Sequence, residues 1–453
     1  MLWAPRGYSY RVETVLLYIL GVVIIALGIA ISIALHEVGH LVPAKLFGVR
    51  VGQYMIGFGP TIWSKKIGET EYGLKAVPLG GYISMAGMYP PAQDGGAARN
   101  ASTGFFQTLV QDARTASADT VAPGHEERVF YKLATWKRII IMLGGPFMNL
   151  VIGFALYAVV LCAFGVYTPS TTLGAVNECV LPVASATQEC TASDEPAPAA
   201  AAGLLPGDRI LSIDGDDIGE WTQATTIIRE SAGEPLDFVV ERDGEQVQLT
   251  ATPLLTERYV YDELNAIVED DNGDPVTEKV GILGMTSAYE MVQQPLSAVP
   301  PAVGDNIVRV TAIITHLPQR LVDVWNAAFG PEERDPNGPL SVVGVGRIAG
   351  EITSLETLPV ADRAQNLIGL VASLNIALFV FNLVPLMPLD GGHVAAALFD
   401  SVRRGLAKLL RRKDPGYLDI AKLVPLTFAV VAVLGAMSLL LIYADIVKPI
   451  SIL

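Results

Sequence analysis

Four long apolar runs divide the chain, over residues 15–35, 139–167, 367–386 and 423–447. Each reaches the roughly 20 apolar residues that a helix needs to cross a hydrocarbon core, so the pattern predicts four membrane-spanning helices. The first run has no charge between Thr14 and Leu35. It is too long for the apolar core of a signal peptide, and the expectation is that it stays in the mature chain. Residues 51–86 change character, with β-branched and aromatic residues punctuated by Gly57-Phe58-Gly59-Pro60, Gly73 and Pro78-Leu79-Gly80-Gly81-Tyr82. That punctuation predicts short strands in a β-hairpin region beside or dipping into the membrane, with an edge open to an extended peptide. A plain cytoplasmic hairpin is the other reading. Residues 90–127 are polar and rich in small side chains, which predicts a mobile cytoplasmic loop.

Beyond the second run, an Ala/Pro-rich linker over 197–202 leads to an alternating strand around Ile210 and Ile213. A helix near 221–231 and strands near 237–242 and 246–252 follow. A further strand is expected at 280–284, then one amphipathic helix over 303–329 with Ile307, Val310, Ile314, Leu317 and Leu321 on one side. The resulting division is 1–170, with two spans, the hairpin region and the loop; 171–255, a small sheet domain; 256–365, a strand and amphipathic-helix segment; and 366–453, the last two spans.

Composition agrees with a membrane protein: 51% of residues are hydrophobic and 17% charged. Arg128, Lys132, Lys137 and Arg138 precede the second run, and Arg403, Arg404, Lys408, Arg411, Arg412 and Lys413 lie between the third and fourth. Positive residues favour the cytoplasmic side, so both segments are expected there, and the acidic stretch 168–365 and both termini opposite. The net charge of −15 comes mostly from that outer stretch, and nothing points to a nucleic-acid partner. Cys162 lies in the second run as a small core residue; Cys179 and Cys190 fall outside, where a disulfide between them is expected.

The candidate chemistry sits at the end of the first run, in His36-Glu37-Val38-Gly39-His40. Residues four apart share a helix face, so His36 and His40 can offer two imidazoles to one metal, with the Glu37 carboxylate beside them to hold a water. Charged and polar groups are costly in a spanning helix, which favours a functional reading. The third run ends in Asn382-Leu383-Val384-Pro385-Leu386-Met387-Pro388-Leu389-Asp390-Gly391-Gly392-His393. Asp390, at the same expected depth, is the natural third ligand of a catalytic zinc that keeps one position for water; His393 is a rival. Gly144-Gly145-Pro146 and Asn149 open the second run, where glycines let helices approach. Asn149 can serve either helix packing or the site.

Two resemblances follow from these motifs. Gly203-Leu204-Leu205-Pro206-Gly207-Asp208-Arg209-Ile210 and the elements after it resemble a PDZ domain of the kind attached to bacterial proteases. That resemblance implies that Gly203 and Leu204 supply backbone groups to a peptide. Most of the chain resembles the site-2 protease family, in its bacterial regulator-of-sigma-E protease branch. The match rests on His36 to His40, the hairpin glycines, Gly145-Pro146 with Asn149, Gly338-Pro339 and Asn382 to Gly392. It implies an intramembrane metalloprotease of the cell membrane, with zinc on His36, His40 and Asp390 and Glu37 as catalytic base. It also implies Asn382, with Asn375 as a second candidate, in substrate handling. The expected fold is a polytopic α-helical membrane protein of four transmembrane helices, with the membrane-associated hairpin and one extracytoplasmic PDZ domain. Expected partners are the lipid bilayer and single-span substrates of the anti-sigma factor type or signal-peptide remnants. An inactive PDZ scaffold and a metal transporter are the competing classes; Glu37→Gln separates them from a protease.

Overall fold

The computed structural model describes residues 6–90, 105–121, 124, 126–181, 190, 194–261, 267–268, 270, 274–331, 333–335 and 338–450. Helices run in chain order as α1 (Arg6–Leu46), α2 (Phe105–Asp119), α3 (Thr135–Ala158), α4 (Pro198–Ala201), α5 (Trp221–Glu230) and α6 (Val299–Thr315). They continue as α7 (Leu317–Phe329), α8 (Val342–Ser354), α9 (Val360–Leu383), α10 (Asp390–Leu409) and α11 (Val424–Val447). The strands are β1 (Val51–Ile67), β2 (Thr70–Met85), β3 (Val166–Val176), β4 (Cys179–Val180), β5 (Glu195–Pro196) and β6 (Arg209–Ile213). After them come β7 (Asp216–Asp217), β8 (Leu236–Arg242), β9 (Glu245–Ala251), β10 (Leu254–Tyr259), β11 (Thr277–Ile282) and β12 (Met285–Val292). The chain divides into two compact units, Met1–Val160 with Pro295–Leu453, and Leu161–Gln294.

The first unit is built on helices. Among the described residues, Val12–Leu46, Thr135–Phe164, Val360–Leu383 and Ile420–Val447 are long and apolar enough to cross a membrane. These are the four runs anticipated from hydropathy. Small residues let them touch: a Cβ at Gly21 of α1 would stand 2.3 Å from the Ala349 carbonyl of α8. One at Gly39 would stand 2.2 Å from the Gly144 carbonyl of α3. The expected single helix over 303–329 is two helices, meeting at His316. Pro318, in the first turn of α7, lacks the N–H that would carry the α6 ladder onward.

β1 and β2 are longer than the short strands anticipated, yet the pair folds double. Tyr54 pairs with both Tyr72 and Ile83, and Ile56 with both Leu74 and Gly81, while Ile67 pairs with Thr70 across the turn. The first half of β2 is therefore an inner strand, and residues 81–85 form an edge. Among the described residues no other strand joins this sheet. The sharp bends fall on Gly57, Gly59 and Gly80, all at positive φ. Within the loop 90–127, residues 105–119 form a helix, α2, that the composition did not predict; residues 91–104, 122, 123 and 125 lie outside the described residues. α2 is pinned by polar contacts that its composition disguised. Arg114 pairs with Asp419, the Tyr89 amide donates to Ser117 Oγ (3.0 Å), and the Gly87 amide donates to Thr120 Oγ1 (3.1 Å).

The second unit is a sheet of strand order β12-β3-β6-β8-β9, with β7 on β6. Leu173, Leu204, Ile210, Ile213, Phe238 and Val240 form its core, closed by Ala224 and Ile228 of α5. Two sequence expectations are corrected here. The boundary near 255 fails because β12 returns to pair with β3, Met285 opposite Val176, so strands up to 292 belong to this unit. The Ala/Pro-rich linker is a short helical turn, α4, with Ala199 fully enclosed. Cys179 and Cys190 are joined as a disulfide, and Cys162 is free.

Candidate metal centre

α1 places His36 and His40 one turn apart on a single face, and their Nε2 atoms stand 3.1 Å from each other. Asp390 Oδ2 lies 3.4 Å from each Nε2. Asp390 arrives there because Val384 caps α9 and the chain reverses through Leu386 and Leu389 before starting α10 at Asp390 itself. The glycines after it serve close approach rather than an unusual backbone conformation. A Cβ at Gly391 would sit 2.4 Å from the carbonyls of Leu383 and Val384.

Three donor atoms at tetrahedral angles around an ion at about 2.05 Å stand about 3.3 Å apart. The observed separations of 3.1, 3.4 and 3.4 Å meet that figure. Asp390 Oδ2 is also buried without a hydrogen-bond partner, as expected of an atom reserved for a cation.

The far sides of the imidazoles are held as well. His40 Nδ1 donates to the Ile141 carbonyl at 2.7 Å, leaving Nε2 as the lone-pair face. His36 Nδ1 lies 3.1 Å from the Asn149 amide, and Asn149 is fully buried. Asn149 Oδ1 otherwise has no partner, so the amide orientation that satisfies both groups has Oδ1 accepting from Nδ1–H. α3 comes close enough to do this because of Gly145, where a Cβ would stand 2.2 Å from His40 Nε2 and 2.7 Å from His36 Nε2. Glu37, 9% exposed, is next in the chain, and a Cβ on Gly81 of the β2 edge would touch its Cγ at 3.1 Å. The Tyr54 hydroxyl donates to the Ala34 carbonyl (2.8 Å), tying the hairpin to α1 just ahead of the motif.

The remaining anticipated residues are not among the three clustered donors. Asn375 is fully buried between α9 and α1, donating to Ser32 Oγ (2.9 Å) and the Val371 carbonyl (2.8 Å). Asn382 is partly exposed and donates to the Leu378 carbonyl of its own helix (3.0 Å). His393 is not one of the three clustered donors. Its Nδ1 is buried without a partner, and burial pushes its imidazole down, with Asp390 opposing. In the second unit, the Gly203 and Leu204 amides are bonded to the Ala200 and Ala199 carbonyls, and the Leu204 side chain is in the core. Neither amide is open to a peptide.

Residues 24–413 match the model of peptidase family M50. The chain is 32% identical over 445 residues to zinc metalloprotease Rip1 of Mycolicibacterium smegmatis, covering 96% of this chain and 98% of that one. It is 32% identical over 447 residues to zinc metalloprotease Rip1 of Mycobacterium tuberculosis, covering 96% and 100%. Against metalloprotease MmpA of Caulobacter vibrioides it is 31% identical over 394 residues, covering 83% and 85%. The chain belongs to peptidase family M50, the site-2 protease family of zinc metalloproteases.

Proposed function

We propose that the chain hydrolyses peptide bonds within or beside the membrane-spanning segment of single-span proteins, with His36, His40 and Asp390 as zinc ligands and Glu37 as catalytic base. The observation that carries this is the triangle of His36 Nε2, His40 Nε2 and Asp390 Oδ2, whose sides of 3.1–3.4 Å suit one tetrahedral ion. Zinc bound there supplies Lewis acidity, bringing the pKa of water to about 7. The Glu37 carboxylate takes a proton from the attacking water and returns it to the leaving amine. Asn149 and the Ile141 carbonyl hold both imidazoles in the tautomer that presents Nε2.

A substrate helix conceals its scissile carbonyl in hydrogen bonds and must unwind locally. The unpaired edge of β2 at residues 81–85, next to Glu37, compensates the freed groups by adding the peptide as a strand. Asn382 steadies the peptide, and Asn375 supports α1 from behind through Ser32. The second unit is a PDZ-like domain on the outer face, which its disulfide suits, and the basic segments lie in the cytoplasm. There it screens single-span substrates of the anti-sigma factor type after an outer trimming cut, and cleavage releases a cytoplasmic regulator.

Glu37→Gln in the full chain tests the assignment. It is expected to bind one zinc per chain, retain bound single-span proteins for identification by mass spectrometry, and lose cleavage by about 10²-fold or more. Cleavage surviving in Glu37→Gln, or zinc retained by His36→Ala with Asp390→Ala, would overturn the reading.

A further inference from the structure

α10 carries Asp390 at its first residue, and most of its surface has no part in the chemistry above. It lies between α9 and α11, both candidate spans, so it stays at one side of the bilayer. Residues 384–389 join it to α9, a tether of at most about 20 Å. Successive residues turn by about 100°, which divides the helix into three faces. Ala396, Ala397 and Asp400 are buried, and Asp400 accepts from Arg138 of α3 at 3.1 Å. Leu398, Phe399, Val402, Leu406 and Leu409 occupy an arc of about 80–100° and are 50–78% exposed. On the third face an open pocket of about 490 Å³ is lined by Ser401, Arg404, Gly405 and Lys408, with Arg412 and Asp414 past the helix end.

The pocket holds three cations and one carboxylate. Asp414 accepts from Arg404 (3.1 Å) and from the Gly416 amide (3.0 Å), and Arg404 lies over the Tyr417 ring at 5.2 Å. Arg403 is turned away, toward Asp400 and the Gly416 carbonyl. An exposed apolar stripe running beside a basic pocket is the surface of a helix lying in the plane of a bilayer interface. We propose that α10 lies in the headgroup layer with this stripe among the acyl chains, and that Arg404, Lys408 and Arg412 bind the phosphate of an anionic phospholipid.

Three observations favour a lipid over a protein partner. The stripe is tethered to two spans, the cations adjoin it on the same helix, and the pocket keeps an excess of two positive charges. Two charges predict about a 30-fold preference for anionic over zwitterionic headgroups. The helix that holds the lipid also begins with the third donor of the metal centre, so a seated lipid fixes the base from which Asp390 reaches the imidazoles. The inference rests on the membrane reading and is tested separately from it.

The experiment places the full chain in nanodiscs of phosphatidylcholine alone, or with one third phosphatidylglycerol, and follows amide exchange over 398–412. Exchange there is expected to slow at least about tenfold with phosphatidylglycerol. Arg404→Gln with Lys408→Gln should abolish that difference while α9 and α11 stay protected. Inorganic phosphate added to phosphatidylcholine discs should have no effect. Equal exchange in the two lipids, or full protection by inorganic phosphate, overturns the proposal. Free exchange throughout α9 and α11 would instead defeat the membrane reading.

Discussion

Gly145→Ala is the sharpest perturbation of the metal centre, because the ordinary expectation for this change has the opposite sign. Replacing glycine by alanine inside a helix normally favours folding by about 0.8–1 kcal/mol. Here the added Cβ would stand 2.2 Å from His40 Nε2 and 2.7 Å from His36 Nε2, where ordinary contact begins at 3.4 Å. The shortfall at His40 is 3.4 − 2.2 = 1.2 Å. α3 cannot retreat cheaply, since Gly39 and Gly144 hold the two backbones together at the same crossing. The rings must turn instead, and turning them breaks the bonds to Ile141 and Asn149. A misplacement of about 1 Å at a catalytic group costs about 10²-fold, or about 2.7 kcal/mol of transition-state stabilisation. Gly369→Ala is the control: the same change in α9, where a new Cβ meets nothing within 4 Å. Zinc per chain by plasma mass spectrometry and cleavage of a labelled single-span substrate are the two readouts. Gly145→Ala is expected to lose most of both and Gly369→Ala neither. A Gly145→Ala protein with one zinc per chain and near-normal cleavage would refute the packing argument.

Asn149→Ala should weaken zinc binding about 10–100-fold, whereas Asn149→Asp, which keeps an acceptor for His36 Nδ1–H, should largely preserve it; competition with a chelator measures both. Gly81→Val places bulk against Glu37 Cγ and the β2 edge, so cleavage should fall while zinc content stays unchanged. In the second unit, burial pushes the Asp208 carboxyl up. Two bonds from Arg242 at 2.7 Å and one from the Leu205 amide at 2.8 Å overcome that and hold it below the usual carboxylate range. A carboxyl depressed in the folded state stabilises above its unfolded pKa of about 4 and loses that contribution as pH falls further. Amide exchange over 204–213 in the full chain should therefore accelerate as pH is lowered past that value, after correction for intrinsic rates. Asp208→Ala should destabilise this unit by about 2 kcal/mol at neutral pH and remove the dependence.

What could be read from the residues beforehand was whatever repeats or stands four apart. His36 and His40 share a face because helical geometry is local, and four apolar runs announce four helices long and apolar enough to cross a membrane because hydrocarbon thickness sets the length to look for. Asp390 was reachable by a weaker argument, a carboxylate at the end of a span, although 350 residues separate it from His40. The return of β12 to β3 was hidden, because a short strand does not state its partner; the boundary near 255 failed for that reason. α2 was hidden because its docking uses Arg114, Ser117 and Thr120, residues that read as solvent-facing. The Ile141 carbonyl could not have been found at all, since every residue owns a carbonyl and only the fold decides which one meets His40 Nδ1. Gly145 lies between these cases. A glycine has no side chain to suggest a task, so its meaning is borrowed from whatever stands beside it, and here that is the pair of ring nitrogens in the candidate metal centre. Glycines beside a candidate metal motif thus mark approach rather than flexibility, and Gly39, Gly144, Gly145 and Gly391 act together to bring three helices to one point.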